Sequence, residues 1–305
     1  MERFGDFDLI SLLARGGMAE LFHAVHRPSG QHVVVKRLLP ELEGRADIVD
    51  LFLNEADIGR LLRHENVVQV LDAGELDGRY WLAMEYVDGL DVARLLGEAF
   101  HRGEPVPPRL ILRIGVDALR GLHAAHVLTS PQGTAFGLVH RDVSPDNLFV
   151  TRGGVTKVAD FGIAKLGGLE GVTSTGLLKG KLSYMSPEQV HGKKLDGRAD
   201  MFSLALVLYE MLSGHRPFAP LEGESEVDIL MRIRRGKVKA LGKLEPELPR
   251  VVGKVIDRAL RASRRRRFAS CGAFAEALEQ AAAEAGLLGS RDEAAAYVAA
   301  RAQAA

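Results

Sequence analysis

Four short segments carry the side chains that could do chemistry, and they follow one another in a fixed order. A glycine-containing turn spans residues 14–21, Lys36 ends the strand-like run 33–35, residues 140–147 read His-Arg-Asp-Val-Ser-Pro-Asp-Asn, and residues 160–162 read Asp-Phe-Gly. Glycines let backbone N–H groups approach a phosphate, and carboxylate and amide oxygens are ligands that suit Mg²⁺. Each segment alone is a weak sign of function, because short motifs of this kind also occur by chance.

A carboxylate in an apolar helix stripe is a further unusual feature. Apolar residues recur at helical spacing over residues 47–63, which predicts an amphipathic helix. Glu55 lies on its apolar stripe, four residues after Leu51 and three before Ile58. Burying an unpaired charge is costly. Glu55 therefore either pairs with a basic group inside the fold or lies at the edge of the stripe and reaches water.

The elements around this helix are predicted to be strands. Strand-like runs are separated by Gly or Pro-Ser-Gly turns, and the Asp77-Gly78 pair between two such runs is a strong hairpin signal. The runs are residues 7–14, 20–25, 32–37, 71–75 and 79–86. The first 90 residues are therefore expected to form a small antiparallel sheet with one helix.

From about residue 91 the pattern becomes mostly helical. A periodic run opens at Pro107-Pro108, and two short apolar strands follow at residues 148–150 and 155–158. Asp200 is placed as the N-cap of a helix that reaches Leu212. Because that helix is apolar on nearly every face, we expect it to be buried at the centre of this part of the fold.

Composition narrows the class of protein. The 305 residues include 40 Lys and Arg and 40 Asp and Glu, and 47% are hydrophobic, which fits a globular chain and excludes disorder. Zero net charge argues against a dedicated nucleic-acid binder, so the run Arg264–Arg267 is interpreted as a solvated helix end. Cys271 is the only cysteine, which excludes an intramolecular disulfide. With no signal peptide or membrane-spanning segment in the sequence, we expect a cytoplasmic protein.

Together the four segments resemble the protein-kinase family, specifically the eukaryotic-like (Hanks-type) Ser/Thr kinases of bacteria, over about residues 7 to 280. Ser186-Pro187-Glu188 stands where the family has Ala-Pro-Glu. The resemblance implies an α+β, two-lobed protein kinase fold, with a small antiparallel N-lobe sheet, one key helix and a mostly α-helical C-lobe. It places the N-lobe at residues 1–88, the C-lobe at 89–280 and an alanine-rich helical tail at 281–305.

The resemblance also implies ATP and Mg²⁺ as cofactors and protein Ser or Thr hydroxyls as acceptors. Lys36 would contact the α- and β-phosphates and Glu55 would orient it, which gives the unusual carboxylate its cation. Asp142 would accept the proton of the incoming hydroxyl. Asn147 and Asp160 would hold Mg²⁺.

The adenine is expected between the lobes, at a hinge formed by Glu85, Tyr86 and Val87. Backbone groups of the hinge would contact the base, apolar side chains would enclose it, and Asp91 or the adjacent loop would meet the ribose. The other residues expected at the nucleotide are Leu12, Ala14, Gly16, Gly17, Ala19, Leu21, Val34, Met84 and Phe149. The apolar positions among them could equally be ordinary core.

Two departures from the family pattern concern the phosphates. Only Gly16 remains of the three glycines of the loop, with Ala14 and Ala19 at the other two places, so we expect weaker nucleotide affinity. Ser144 stands where Ser/Thr kinases carry a lysine, and Lys181 stands where they carry a threonine. We hypothesise that Lys181 replaces the missing ammonium in the catalytic loop. The alternative is a solvated loop charge.

Regulation and scaffolding are implied by the same resemblance. Arg141 would receive a phosphate carried by the activation segment, for which Thr173, Ser174 and Thr175 are candidates, Thr175 first. Self-association would permit autophosphorylation in trans. Glu188 and Arg267 would form a buried pair, and Asp200 would brace the catalytic loop.

Three functions stay open at this point. An active Ser/Thr kinase is favoured, because Lys36, Glu55, Asp142, Asn147 and Asp160 are all present. Pro145 favours Ser/Thr over Tyr as acceptor. The alternatives are a pseudokinase that binds nucleotide as a scaffold, and a small-molecule phosphotransferase, against which the Ser-Pro-Glu segment counts.

Overall fold

The computed structural model describes residues 2–161 and 182–302, and chain packing divides them into two compact units. The first unit comprises residues 2–88. The second comprises residues 89–161 and 182–302. Each unit has its own hydrophobic core.

Six strands of the first unit form one antiparallel sheet in the order β1-β2-β3-β4-β6-β5. They are β1 Glu2–Phe4, β2 Phe7–Arg15, β3 Ala19–His26, β4 Gln31–Leu38, β5 Val70–Leu76 and β6 Arg79–Glu85. Asp77 and Gly78, which join β5 to β6, both have positive φ angles, 51° and 80°. Two such residues are what a type I′ turn requires, so the predicted hairpin is confirmed.

Helix α1, Ala46–Leu61, packs on this sheet and agrees closely with the amphipathic helix predicted at residues 47–63. Its buried side chains include Ile48, Phe52 and Glu55. Strand β1 was not predicted. It pairs Phe4 with Phe7 across a tight turn, and both rings are buried beside Trp81, so this end of the sheet gains an extra strand.

The second unit is mostly helical. A small sheet in the order β7-β8-β9 contains β7 Gly89–Asp91, β8 Leu148–Thr151 and β9 Thr156–Val158. The helices are α2 Val92–Arg102, α3 Pro108–His126, α4 Pro187–Val190, α5 Arg198–Ser213, α6 Glu226–Arg235, α7 Arg250–Ala259, α8 Cys271–Glu284 and α9 Arg291–Ala302. Short 3₁₀ turns lie at Pro40–Leu42, Pro145–Asn147, Leu241–Lys243 and Arg264–Arg266.

Helix α5 lies at the centre of the second unit, as its apolar sequence predicted: every residue from 199 to 211 is buried. The prediction that Asp200 caps this helix was wrong. The helix begins at Arg198 with Gly197 at the N-cap, and Asp200 lies inside its first turn. Gly214 ends the helix with a φ of 63°, the left-handed conformation common after a helix.

The chain beyond residue 284 is packed against the second unit. Helix α9 contacts β7, β8 and α3, and Ser290 and Glu293 form a capping box at its start. Arg109 of α3 pairs with Glu293 at 2.8 Å. Gly154 approaches α9 so closely that a Cβ there would lie 2.0 Å from the Arg291 carbonyl oxygen. Among the described helices, none has the length and apolar character needed to cross a membrane.

Candidate active site

The phosphate loop, residues 14–19, comprises the end of β2, the turn at residues 16–18 and the first residue of β3. Ala14 pairs with Leu21, and the Gly16 N–H donates to the Ala19 carbonyl at 2.9 Å. A Cβ on Gly16 would meet nothing closer than that carbonyl, at 3.7 Å, and one on Gly17 would meet nothing within 4 Å. Ala19 begins β3 and is 4% exposed. Its methyl group therefore packs inside the unit, which gives alanine a structural role at the third glycine position.

A ladder of charges crosses the strands beside this loop. Glu20 contacts Arg15 at 3.4 Å and Arg37 at 3.3 Å, and Arg37 contacts Glu2 at 2.7 Å. The Arg37 guanidinium also lies over the rings of Phe22 and Phe4, at 4.7 and 5.5 Å. Arg37 follows Lys36 directly, so the ladder joins β1, the phosphate loop and the strand of the lysine.

Lys36 and Glu55 form the ion pair expected from the sequence. Lys36 Nζ lies 2.6 Å from Glu55 Oε1, and the two side chains are 16% and 10% exposed. The alternative of a carboxylate at the edge of the stripe is therefore wrong. Strand β4 supplies the lysine and helix α1 supplies the carboxylate. The pair holds the ammonium in place, because a partly buried carboxylate is stable only beside a cation.

The apolar residues expected at the adenine occupy different settings in the first unit. Val34 pairs with Met84 across β4 and β6, and both pack with Leu21 in the core around α1. Leu12 is 52% exposed. The Glu85 N–H donates to the Gln69 carbonyl at 2.9 Å, so that amide is used within the sheet, and Val87 lies just beyond β6.

Phe149 and Asp91 belong to the second unit, where they lie opposite each other on β8 and β7. Asp91 Oδ1 accepts a hydrogen bond from the Arg94 N–H at 2.6 Å, which makes Asp91 the N-cap of α2. Burial raises the pKa of this carboxyl, while the bond from Arg94 opposes that rise. If Asp91 also contacted a ribose, its carboxylate would have to bond the ribose while it capped α2.

The catalytic loop, residues 140–147, is closed by its own side chains. Asn147 Nδ2 donates to the Asp142 carbonyl at 2.8 Å, and the Asp142 N–H donates to His140 Nδ1 at 3.2 Å. The Asn147 carbonyl accepts from the Ala159 N–H at 2.9 Å. This last bond joins the loop to the residue before Asp160, so Asp142, Asn147 and Asp160 are held in one small framework.

Asp200 braces this loop from beneath, as the resemblance implied. Its carboxylate, 1% exposed, accepts the N–H groups of His140 and Arg141, each at 2.8 Å. His126 Nε2 lies 2.7 Å from the same carboxylate. Arg141 has a φ of 67° and Asp160 a φ of 54°, a strained conformation for residues other than glycine. The bond to Asp200 holds Arg141 in that conformation.

The charge state of Asp200 follows from these contacts. Burial by itself would raise the pKa of the carboxyl, but His126, His140 and the Arg141 N–H together hold the pKa below its ordinary value. Asp200 is therefore ionised at neutral pH. A fixed buried negative charge with donors on three sides is a rigid support, since each donor needs it as an acceptor.

Helix α4 supports the same loop from a second direction. Gln189 Nε2 donates to the Arg141 carbonyl at 2.8 Å. Glu188 of the same helix pairs with Arg267 through two bonds of 2.6 and 2.9 Å, as predicted, and the Arg267 side chain is fully buried. The sequence did not single out Gln189 or the role of His126, because neither belongs to a recognisable motif.

Ser144 is 1% exposed, and its hydroxyl has no hydrogen-bond partner among residues 2–161 and 182–302. Lys181, the residue proposed to compensate for it, lies outside the described residues. The same holds for Thr173, Ser174 and Thr175. Compensation by Lys181 and phosphorylation of these hydroxyls stay predictions.

Asn147 and Asp160 offer a metal only oxygen atoms. Asn147 supplies an amide oxygen and Asp160 supplies a carboxylate. Within the described part of the chain, no group of three or more His, Cys, Asp or Glu residues could hold a metal ion. Such a sparse oxygen set suits Mg²⁺, which keeps several waters and shares its remaining sites with substrate phosphates.

Residues 7–281 match the family model described as the protein kinase domain. The chain belongs to the protein kinase family. This kinase domain is 35% identical over 283 residues to the Ser/Thr kinase PknA of Mycobacterium tuberculosis, covering 90% of this chain and 61% of PknA. It is 34% identical over 287 residues to the Ser/Thr kinase Pkn1 of Myxococcus xanthus, covering 92% of this chain and 39% of Pkn1.

A third relative, MasK of Myxococcus xanthus, is named a tyrosine-protein kinase. It is 40% identical over 282 residues, covering 92% of this chain and 43% of MasK. The kinase domain thus spans less than two thirds of each of these relatives. The crystal structure of the Mycobacterium tuberculosis PknI kinase domain superimposes with a TM-score of 0.67 at 28% identity, covering 92% of this chain and 97% of that one. These matches confirm the predicted fold class and the resemblance to bacterial Hanks-type kinases.

Proposed function

We propose that this domain transfers the γ-phosphate of ATP to Ser or Thr hydroxyls of protein substrates. The observation that carries the proposal is the 2.6 Å ion pair between Lys36 and Glu55, because this pair must form in an active protein kinase. A scaffold that only binds nucleotide has no need of an oriented lysine. The proposal therefore favours turnover over the pseudokinase alternative.

Each side chain has a distinct task in this proposal. Lys36 places its charge against the α- and β-phosphates and is kept there by Glu55. Asp142 accepts the proton of the attacking hydroxyl and orients its oxygen. Asn147 and Asp160 hold Mg²⁺, which when bound neutralises charge on the phosphates. The bonds of Asn147 and Asp200 keep Asp142, Asn147 and Asp160 in fixed relative positions around the catalytic loop.

Ser/Thr is proposed as the acceptor class on two grounds. PknA and Pkn1 are both named Ser/Thr kinases, and Pro145 in the catalytic loop is typical of that class. The name of MasK points the other way. Phosphoamino-acid analysis of the labelled product separates the two: phosphoserine or phosphothreonine supports the proposal, and phosphotyrosine alone contradicts it.

The central test is transfer from labelled ATP with Mg²⁺ to the protein itself and to a generic basic protein. We expect transfer by the native chain and a loss of at least about 100-fold in Asp142→Asn, the usual scale for removing a general base. Asp50→Asn, an exposed carboxylate on α1, is the matched control and should retain activity. If the native chain and Asp142→Asn transfer equally little, the domain is a scaffold.

Autophosphorylation is proposed for the activation segment, with Thr175 as the first site. Mass spectrometry of protein incubated with ATP should find phosphate between residues 160 and 188. Protein made with Asp142→Asn is the control, since phosphate found there must come from another kinase. An active native protein with no phosphate in this segment would contradict the assignment.

A further inference from the structure

The charge of this neutral chain is unevenly distributed. Between residues 232 and 267 there are fourteen Lys and Arg but three Asp and Glu, although the whole chain has 40 of each class. The rest of the chain therefore carries the balancing negative charge. Charge asymmetry of this size is typical of proteins that meet an anionic surface.

Three of the fourteen cations form ion pairs within the fold, and Arg258 lies over the Phe268 ring at 4.2 Å. Arg232 pairs with Glu224 at 2.8 Å, Arg264 with Asp196 at 3.1 Å, and Arg267 with Glu188 at 2.6 Å. The other eleven are exposed: Arg234, Arg235, Lys237, Lys239, Lys243, Arg250, Lys254, Arg258, Arg261, Arg265 and Arg266. Within the part of the chain that the structure describes, these eleven form no ion pair with an acidic side chain. We call them, with exposed Lys193 and Lys194, the basic face.

Contacts within the second unit bring parts of the basic face together. Gly236, at the end of α6, lies so close to Ala262 that a Cβ there would be 2.6 Å from the Ala262 Cβ. This brings the cations on both sides of Gly236 next to those on both sides of Ala262. Arg264 Nη1 donates to the Lys194 carbonyl at 2.9 Å, which adds Lys193 and Lys194 to the same region.

Helix α7 carries three of these cations as a single stripe. Arg250, Lys254 and Arg258 follow one another at four-residue spacing and are all exposed, so they share one side of the helix. Like charges at this spacing destabilise a helix. The stripe therefore raises the free energy of the isolated domain, and an anionic partner would remove that repulsion.

Helix α6 carries exposed apolar side chains beside two cations of the basic face. Val227 and Met231 are 66% and 42% exposed, and their spacing places them on one helix side with Arg234 and Arg235. Met231 Sδ lies 4.0 Å from Arg234 Nη1. The opposite side of α6, with Ile229 and Ile233, is buried. The exposed side thus combines aliphatic residues with cations.

We propose that the basic face binds the surface of an anionic phospholipid bilayer. The cations lie against headgroup phosphates, and Val227 and Met231 enter the interfacial layer, a division of roles typical of proteins that bind at a membrane surface. Nucleic acid fits less well: among the described residues the basic face exposes no large aromatic side chain for base stacking. A duplex phosphate backbone would also leave the aliphatic pair without a partner.

The test is sedimentation of the native domain with vesicles of phosphatidylglycerol and phosphatidylcholine, compared with vesicles of phosphatidylcholine alone. We expect binding to the anionic vesicles, weakened by salt. Arg234→Gln with Arg235→Gln should lower the affinity by roughly 30-fold, since each cation near an anionic membrane contributes on the order of 1 kcal/mol. Arg3→Gln with Arg63→Gln removes the same charge from exposed sites of the first unit and should leave binding unchanged.

A second arm separates lipid from other polyanions. Val227→Ser with Met231→Ser should weaken vesicle binding several-fold and leave binding to duplex DNA, measured by fluorescence anisotropy, unchanged. Urea unfolding checks that every variant is folded. Equal binding to both kinds of vesicle, an unchanged Arg234/Arg235 variant, or tighter binding to DNA or to polyglutamate than to anionic vesicles would each overturn the proposal.

Discussion

The phosphate loop of the first unit and the catalytic loop of the second are held by different kinds of interaction. The catalytic loop rests on a buried carboxylate, Asp200, that bonds two consecutive backbone N–H groups. The phosphate loop is closed by backbone bonds, from the Gly16 N–H to the Ala19 carbonyl and from the Leu39 N–H to the Met18 carbonyl, and by ion pairs of its flanking strands. The catalytic loop thus rests on a buried charge, and the phosphate loop rests on backbone bonds and ion pairs.

The difference suits the tasks given to the two loops in the proposed function. If Asp142 is the proton acceptor, it works only at hydrogen-bond distance from its hydroxyl, and a backbone fixed in advance serves that task. If residues 14–19 cover a flexible triphosphate, they must instead adapt to it, and the open space around Gly16 and Gly17 leaves them room.

Asp200→Asn should be the most damaging change. An amide in this place turns one acceptor oxygen into a donor facing N–H groups, and breaking a buried charge network costs about 3 kcal/mol or more. We expect the free energy of unfolding, measured in urea, to fall by that amount and kcat to fall by more than about 100-fold. His126→Gln, which keeps a donor beside Asp200, should be much milder. Equal losses in both variants would show that Asp200 does not brace the loop.

The pH dependence of stability gives an independent check on Asp200. Its pKa is lowered in the folded state, so it adds stability above its unfolded pKa of about 3.9 and loses that contribution as the pH falls through the folded value. The gap in unfolding free energy between the native protein and Asp200→Asn should narrow as the pH falls below about pH 4. A gap that widens in acid would contradict the direction of the shift.

Glu55→Gln should rank second and act mainly on catalysis. The loss of the carboxylate frees Lys36 to move away from the position in which it is proposed to contact the phosphates, and a misplaced group of this kind lowers the rate by about 100-fold. The quantity to measure is kcat/KM for ATP. Asp57→Asn, an exposed carboxylate on the same helix, is the matched control and should match the native rate. A normal rate in Glu55→Gln would show that Lys36 does not need its partner.

Arg37→Met should have a moderate effect centred on the first unit. The guanidinium is nearly buried between two rings and bonds Glu2 and Glu20, and we expect a loss of about 2 kcal/mol in unfolding free energy. Glu2→Gln, at the more exposed partner, should cost clearly less. If KM for ATP rises in Arg37→Met while kcat holds, the ladder also positions the phosphate loop, and Arg37→Lys should restore part of that KM.

Gly16→Ala should have the smallest effect on stability. The added Cβ would make only an ordinary contact with the Ala19 carbonyl, so the unfolding free energy should change by less than about 0.5 kcal/mol. A several-fold rise in KM for ATP would then report on the space that phosphate needs. Gly17→Ala, with open space around its Cβ, is the control for stability and should leave the unfolding free energy unchanged. A marked loss of stability in Gly16→Ala would mean that atoms of the loop pack closer to Gly16 than the 3.7 Å between its Cβ position and the Ala19 carbonyl oxygen.

Sequence reasoning succeeded where structure depends on local pattern. The spacing of Ile48, Phe52 and their neighbours is enough to place helix α1, and Asp77-Gly78 is enough to place the hairpin. The carboxylate on the apolar stripe indicated either a cation partner or an edge position, and only the family resemblance named Lys36 as the partner of Glu55. The helix and the hairpin need no knowledge of distant parts of the chain.

Local sequence pattern was insufficient where the role of a residue depends on partners far away in the sequence. Asp200 looks like a helix cap in sequence, but its partners His140 and Arg141 lie about 60 residues away. Strand β1 is too short to show a period, and only its pairing with β2 reveals it. The local pattern of the run Arg264–Arg267 favours solvation of all four residues, and only the family resemblance indicated that Arg267 is buried against Glu188. In each case the tertiary contact, not the local pattern, sets the role of the residue.

Helix α9 links the C-terminal end of the described chain to the strand that follows the catalytic loop. It contacts β8, and β8 begins at the residue that follows Asn147. A segment joined to the chain after Ala302 would pull on α9 before it pulled on anything else, and tension in that segment would reach the strand that leaves the catalytic loop. Stretching such a tethered domain under force, with and without ATP, would show whether load and nucleotide binding are coupled.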